Sequence, residues 1–234
     1  MATRDNFFAS GTPKEEQIRG TPIGDRVYEA LLSQMISLKI APGSRISIDA
    51  LVREFGVSAT PIRAALIRLE ASGLVVKTHN VGYSAAPMPT RERFEQIFDM
   101  RLLLEPYMAA RAAERLSSKQ REELSKLASH MAKPASDDEK LAYGKFALQD
   151  ADFHSWIAAQ SGSELAAEAL ARLHAHTHLF RLRFHTLVTE GAVLEHAEIV
   201  EALSAGAAEG AREAMASHIM KSRARMAPYL ETLA

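Results

Sequence analysis

The sequence predicts a mainly α protein in two parts, an N-terminal winged helix-turn-helix and a C-terminal all-α antiparallel helical bundle. Three observations carry that prediction. The chain has 234 residues, 47% of them apolar, enough for one large core or two modest ones. Apolar residues recur at spacings of three and four over most of its length, and β-prone residues cluster in one run near residue 75. Beyond Thr90 glycine and proline thin out and Ala, Leu, Glu and Arg dominate, a helical composition.

Residues 1–21 are polar and aperiodic and read as a flexible arm. From Asp25 the pattern Val27, Leu31, Leu32, Met35, Ile36 marks a first amphipathic helix, with the turn Ala41-Pro42-Gly43 expected to stop it. A second short helix spans about 49–55, with Gly56 as its breaker. In SATPIRAALIRLEASGLVV, from Ser58, apolar Ile62, Leu66, Leu69 and Leu74 form one buried helix face. Pro61 costs little there, because a first-turn N–H has no intrahelical partner, and Ser58 or Thr60 is placed to cap the neighbouring donors. Short helix, glycine turn and second helix make a helix-turn-helix. Leu74–Thr78, a turn at His79–Gly82 and Tyr83–Ala86 then make a hairpin, the wing, so this domain occupies 22–87.

A stiff linker, 88–90, leads into a helical domain over 91–229. Its helices are expected at 91–115, 119–132, 138–160, 164–186, 190–205 and 208–229, with Glu190-Gly191 among the breaks. Short connections imply antiparallel neighbours.

Composition narrows the function. Without cysteine there is neither a disulfide nor a thiolate metal site, so any metal must be held by His and carboxylate. No run of about 18 apolar residues occurs and MATRDNFFAS lacks a signal-peptide core, so the expectation is a soluble, cytoplasmic protein with no membrane partner. Net charge is −1 overall, yet the first 90 residues carry 10 Lys+Arg against 8 Asp+Glu, and the rest 18 against 21. That asymmetry has the sign expected if the N-terminal part meets phosphate.

The exposed face of the third helix is where side chains would reach a major groove. Arg63 is the first candidate for a base or phosphate contact, followed by Thr60 and Ser58 near the helix start, then Arg68. In the wing, His79, Asn80 and Gly82 would lie against backbone or minor groove. The bland alternative, a merely solvated helix face, loses because the turn, the Ser-x-Thr-Pro start and the hairpin occur together.

A second signal lies in the helical domain. Asp150 and His154 stand four apart on one helix face, a spacing used to grip one metal ion. His196 and His218 sit on stretches read as inward-looking, with Leu194, Ile199 and Leu203 beside one and Met215, Ile219 and Met220 beside the other. Converging, the four would bind a divalent metal such as zinc, nickel or manganese. By spacing alone, core histidines satisfied by neighbours are the commoner case and the favoured reading. Asp152 faces away from His154, and His174 with His178 is a rival i,i+4 pair without a nearby acid.

The stretch PGSRISIDALVREFGVSATPIRAALIRLEASGLV resembles the DNA-binding domain of the GntR family of bacterial transcription regulators. DMRLLLEPYMAARAAER, LQDADFHSWIAAQSG and LEHAEIVEALSAGAAEGAREAMASHI resemble the effector domain of its FadR subgroup, the FCD domain. The resemblance implies a homodimeric repressor or activator of double-stranded operator DNA, not an enzyme, controlled by a small carboxylate metabolite. It also implies metal roles for Asp150, His154, His196 and His218, and an effector contact for Arg101, which an i,i+4 pair with Glu105 rivals.

Three positions depart from the family pattern. Ala59 replaces an arginine often used for base contact, Ala64 a glutamate, and Ser163 an asparagine after the Ser-Gly turn. The rival function is a metal-dependent hydrolase or oxidase with an accessory winged-helix domain. Against it, the sequence offers no nucleophile motif, no cofactor loop and no second acid–base pair of clear spacing.

Overall fold

In the computed structural model, which describes residues 22–132, 139–175 and 186–230, the chain divides into two units, Met1–Pro87 and Met88–Ala234. The arm expected at 1–21 lies outside the described residues.

In the first unit α1 (Ile23–Ile36) buries Val27, Leu31, Leu32, Met35 and Ile36. It stops well before the expected Ala41-Pro42-Gly43 turn, because Leu38 takes a left-handed φ of 58°. That turn, closed by the Ser44 N–H on the Ala41 carbonyl at 3.0 Å, instead leads into β1 (Arg45–Ile46). Helix α2 (Ile48–Phe55) is capped by the Ser47 hydroxyl, which accepts from the Ala50 N–H at 3.3 Å, and ends at Gly56 with φ 66°. Helix α3 (Ala59–Ala71) starts with Pro61 in its first turn, but the Ser58 side chain makes no capping hydrogen bond. Its Ile62, Leu66 and Leu69 are fully buried with Leu31 and Phe55, which makes one core beneath the three helices.

Strands β2 (Val75–Thr78) and β3 (Gly82–Ala85) form the expected hairpin, in register Val75↔Ala85 to Thr78↔Gly82. The sequence did not reveal β1, whose two residues are too few to show an alternation. It pairs antiparallel with β3, giving the order β1-β3-β2.

The second unit is helical throughout its described residues. Helix α4 (Arg91–Arg115) is capped by the Thr90 hydroxyl on the Arg93 N–H at 3.2 Å and buries Phe94, Ile97, Phe98, Met108 and Ala112. A capping box between Ser117 and Gln120 starts α5 (Ser118–Met131). Then follow α6 (Glu139–Gln160), α7 (Glu164–Leu173), α8 (Thr186–Ala205) and α9 (Ala208–Met226), with a final 3-10 turn at Ala227–Leu230. Helix α4 packs most extensively on α9, and α6 and α8 both border it.

Two expected boundaries move. The helix read as 164–186 stops at Leu173, where His174 takes a left-handed φ of 45°. The break expected at Glu190-Gly191 is absent, because α8 runs through both residues. A glycine inside a helix costs only about 1 kcal/mol relative to alanine, and this one gives room to a neighbouring guanidinium: a Cβ on Gly191 would stand 3.3 Å from Arg225 Nη1.

Candidate metal centre and DNA-binding face

Helix α6 carries Asp150 and His154 one turn apart, α8 carries His196 and α9 carries His218. All four are buried, and one ligand atom from each lies within 4.8 Å of the others. Asp150 Oδ1 stands 3.3 Å from His196 Nε2. The three imidazoles converge, with ring centroids 5.4 Å apart for His154 and His196, 5.1 Å for His154 and His218, and 4.7 Å for His196 and His218. Phe153, fully buried, walls the His196 side at 4.6 Å.

Leu194 and Met220, read from the sequence as facing inward, are exposed. Each stands two residues from a centre histidine, about 200° around its helix, so turning the imidazoles inward turns these two outward.

The outer nitrogens of two rings are engaged. His154 Nδ1 meets Glu105 Oε2, and Glu105 Oε1 accepts from Arg101 Nε at 2.5 Å. On the other side His218 Nδ1 donates to Glu195 Oε2 at 2.9 Å, and Glu195 is gripped by both terminal nitrogens of Arg225, Nη2 at 2.8 Å from Oε2. Burial raises the Glu195 pKa, but hydrogen bonds from Arg225 and then His218 outweigh it and pull it down to about 2. Burial lowers the pKa of His218 despite that carboxylate, which favours the neutral ring that a metal needs.

This donor set fits a metal. With Nδ1 committed to a carboxylate, His154 and His218 would each ligate through Nε2, and the whole set is hard-to-borderline O and N as divalent first-row ions prefer. These four residues are therefore a buried Asp/His3 group that could bind a metal.

Of the two readings of Arg101, the structure shows the i,i+4 pair with Glu105. It pairs with Glu105 through Nε, while its Nη2, equally buried, has no hydrogen-bond partner among the described residues. Asp152 is exposed and lines a groove with Trp156 and His130 away from the centre. His174 is half-buried at the end of α7, and its rival partner His178 lies outside the described residues. Sequence reasoning missed Glu195 and Arg225; Glu195 precedes His196 but bonds His218, on another helix, which no one-helix spacing can show.

In the first unit Ser58, Thr60 and Arg63 are exposed along the start of α3. Arg68 is exposed too, but its Nη1 meets Asp25 Oδ1 at 2.6 Å and its guanidinium lies 3.8 Å from the Tyr28 ring centroid, which ties α3 to α1. At the wing tip His79, Asn80 and Gly82 are exposed, with left-handed φ of 59° at Asn80 and 107° at Gly82. Arg45, which sequence reasoning did not single out, donates to the Val81 carbonyl at 3.2 Å and ties β1 to that tip.

Comparison with known proteins gives a consistent result for both units. Residues 23–84 match "Bacterial regulatory proteins, gntR family", and residues 96–221 match "FCD domain". The chain is 25% identical over 212 residues to the HTH-type transcriptional repressor RspR of Escherichia coli K12, covering 88% of this chain and 90% of that protein. It is 26% identical over 221 residues to the HTH-type transcriptional regulator LutR of Bacillus subtilis, covering 82% and 96%. The solved structure of E. coli McbR/YncC is similar in fold, with a TM-score of 0.67 at 20% identity over 89% of this chain and 98% of that one.

Proposed function

We propose that this chain, which belongs to the GntR family of bacterial regulatory proteins and carries an FCD domain, is a repressor of the FadR subgroup that binds its operator as a homodimer and is released by a small carboxylate held at a divalent metal. Family membership makes the protein a DNA-binding transcription regulator and sets aside the enzyme reading. No helix among the described residues is long and apolar enough to cross a membrane.

The observation that carries the effector reading is the buried Asp150, His154, His196 and His218 group on the unit that also holds Arg101. Around it three carboxylates, Asp150, Glu105 and Glu195, face two guanidinium groups, Arg101 and Arg225. A zinc, nickel or manganese ion would turn that single excess negative charge into an excess positive one, which suits one carboxylate ligand. Arg101 Nη2 supplies a buried donor for it.

For DNA, we assign Arg63 a base or phosphate contact and Ser58 and Thr60 phosphate contacts at the helix start. His79, Asn80 and Gly82 are assigned backbone or minor-groove contacts from the wing, while Arg68 serves to hold α3 on α1. Dimerisation is supported by Met100, Leu103 and Tyr107, which are exposed apolar residues at spacings of three and four on α4. A dimer reads an inverted repeat, and effector binding releases it by favouring one of two dimer arrangements.

The test is fluorescence anisotropy on DNA from upstream of the protein's own gene, beside a scrambled duplex and the Arg63→Ala variant. The reading requires salt-dependent binding of two protomers per site, lost on the scrambled duplex and in the variant. Equal binding in all three arms contradicts it.

A further inference from the structure

We propose that Glu195 is a positioning residue for the metal: it holds His218 by Nδ1 so that Nε2 faces Asp150, His154 and His196, and Arg225, seated against Gly191, holds Glu195 in turn. The inference rests on the metal reading above.

Glu195 is engaged on both oxygens. Oε2 accepts from His218 Nδ1 at 2.9 Å and from Arg225 Nη2 at 2.8 Å, and Oε1 accepts from Arg225 Nη1. An ion pair serving only to join α8 to α9 would need no imidazole. Here the imidazole is that of a centre residue, and the residue exposures of Glu195 and His218 are 6% and 3%. A carboxylate that accepts from the far nitrogen of a ligand histidine fixes both the tautomer and the ring orientation.

The same device occurs a second time on different helices. His154 Nδ1 meets Glu105, which Arg101 holds. Two of the three histidines are thus each held by a glutamate that is itself held by an arginine, and neither arginine is a neighbour in sequence of the ring it serves.

Gly191 completes the arrangement. It lies one turn before Glu195 on α8, on the same face. A Cβ there would stand 3.3 Å from Arg225 Nη1 and 3.6 Å from Cζ, so even a methyl group would ask the guanidinium to give by a few tenths of an ångström. The glycine that sequence reasoning took for a helix break thus lies inside α8 with the Arg225 guanidinium packed over it.

The experiment measures zinc affinity of the full-length protein by competition with a chromophoric chelator. The visible spectrum of the cobalt-substituted protein and the thermal midpoint of the metal-free protein are recorded alongside. Glu195→Gln is expected to weaken zinc about 10- to 100-fold and to alter the cobalt bands. Glu198→Gln, on an exposed residue of the same helix paired with Lys221 at 3.7 Å, is expected to change neither.

If Glu195→Gln does not fold, Arg225→Gln, which removes the grip on Glu195 at a partly exposed side chain, decides by the same readouts, with weaker zinc binding and shifted cobalt bands expected. A lower midpoint with zinc affinity within twofold of wild type and unchanged cobalt bands would overturn the proposal and leave the metal reading standing. Wild-type protein that binds no zinc or cobalt would overturn both.

Discussion

Asp150 on α6 and His196 on α8 meet at 3.3 Å, Oδ1 to Nε2, inside a helical domain where both are almost fully buried. Both belong to the four-residue group whose ligand atoms lie within 4.8 Å of one another, which brings the two helices to one point. Asp150→Ala and His196→Ala are each predicted to reduce bound zinc from one ion per chain to a small fraction, measured by elemental analysis of purified protein. Stoichiometric zinc in either variant would contradict the assignment.

Arg63 and Arg68 lie on one helix but are predicted to fail differently. Arg63→Ala abolishes operator binding with thermal stability unchanged. Arg68→Ala lowers stability by about 1 kcal/mol, because it removes a half-exposed ion pair with Asp25 and the stacking on Tyr28. Urea melts and anisotropy on both variants check the pair; equal loss of stability would contradict the separation.

Metal removal is predicted to lower stability by mass action. At an ion concentration 100-fold above its dissociation constant the bound form gains about 2.7 kcal/mol, which corresponds to a midpoint shift of roughly 5 to 10 °C for a domain of this size. Scanning calorimetry before and after chelation measures it. An unchanged midpoint would mean that the ion does not bind the folded centre.

Acid is predicted to destabilise the metal-free protein. Glu195 is pulled from 4.5 down to about 2, so its contribution is complete above 4.5 and is lost as pH falls toward 2. His218 is held below 6.5 by burial, so the folded state keeps it neutral, and that contribution begins to be lost once pH drops below 6.5. Both act in the same direction. Circular dichroism melts in the presence of a chelator should show a midpoint that falls as pH is lowered; a rising midpoint would contradict the assignment.

The sequence revealed those parts of the fold that rest on local periodicity. The helix of Ile62, Leu66 and Leu69 and the long α4 were readable because burial of one face repeats along a helix. So was the hairpin, whose turn at Asn80 and Gly82 needs left-handed backbone. Strand β1 was not, since it exists only through its pairing with β3. Gly191 was misread because a glycine costs a helix only about 1 kcal/mol, which packing along α8 overrides. The spacing of Asp150 and His154 suggested a metal pair, the inward-read stretches around His196 and His218 added two more candidates, and the resemblance implied metal roles for all four. Glu195 and Arg225 needed the tertiary structure, because each acts on a residue remote in sequence.

The most direct test of the account is operator release measured with and without metal. Protein bound to its operator is titrated with a panel of sugar acids, hydroxy acids and dicarboxylates, once loaded with zinc and once stripped by chelation, while anisotropy reports bound DNA. The account predicts that at least one carboxylate releases the zinc-loaded protein, and that the same compound leaves the stripped protein on DNA. Release at equal carboxylate concentration from both forms would contradict it, because the buried centre would then play no part in the response.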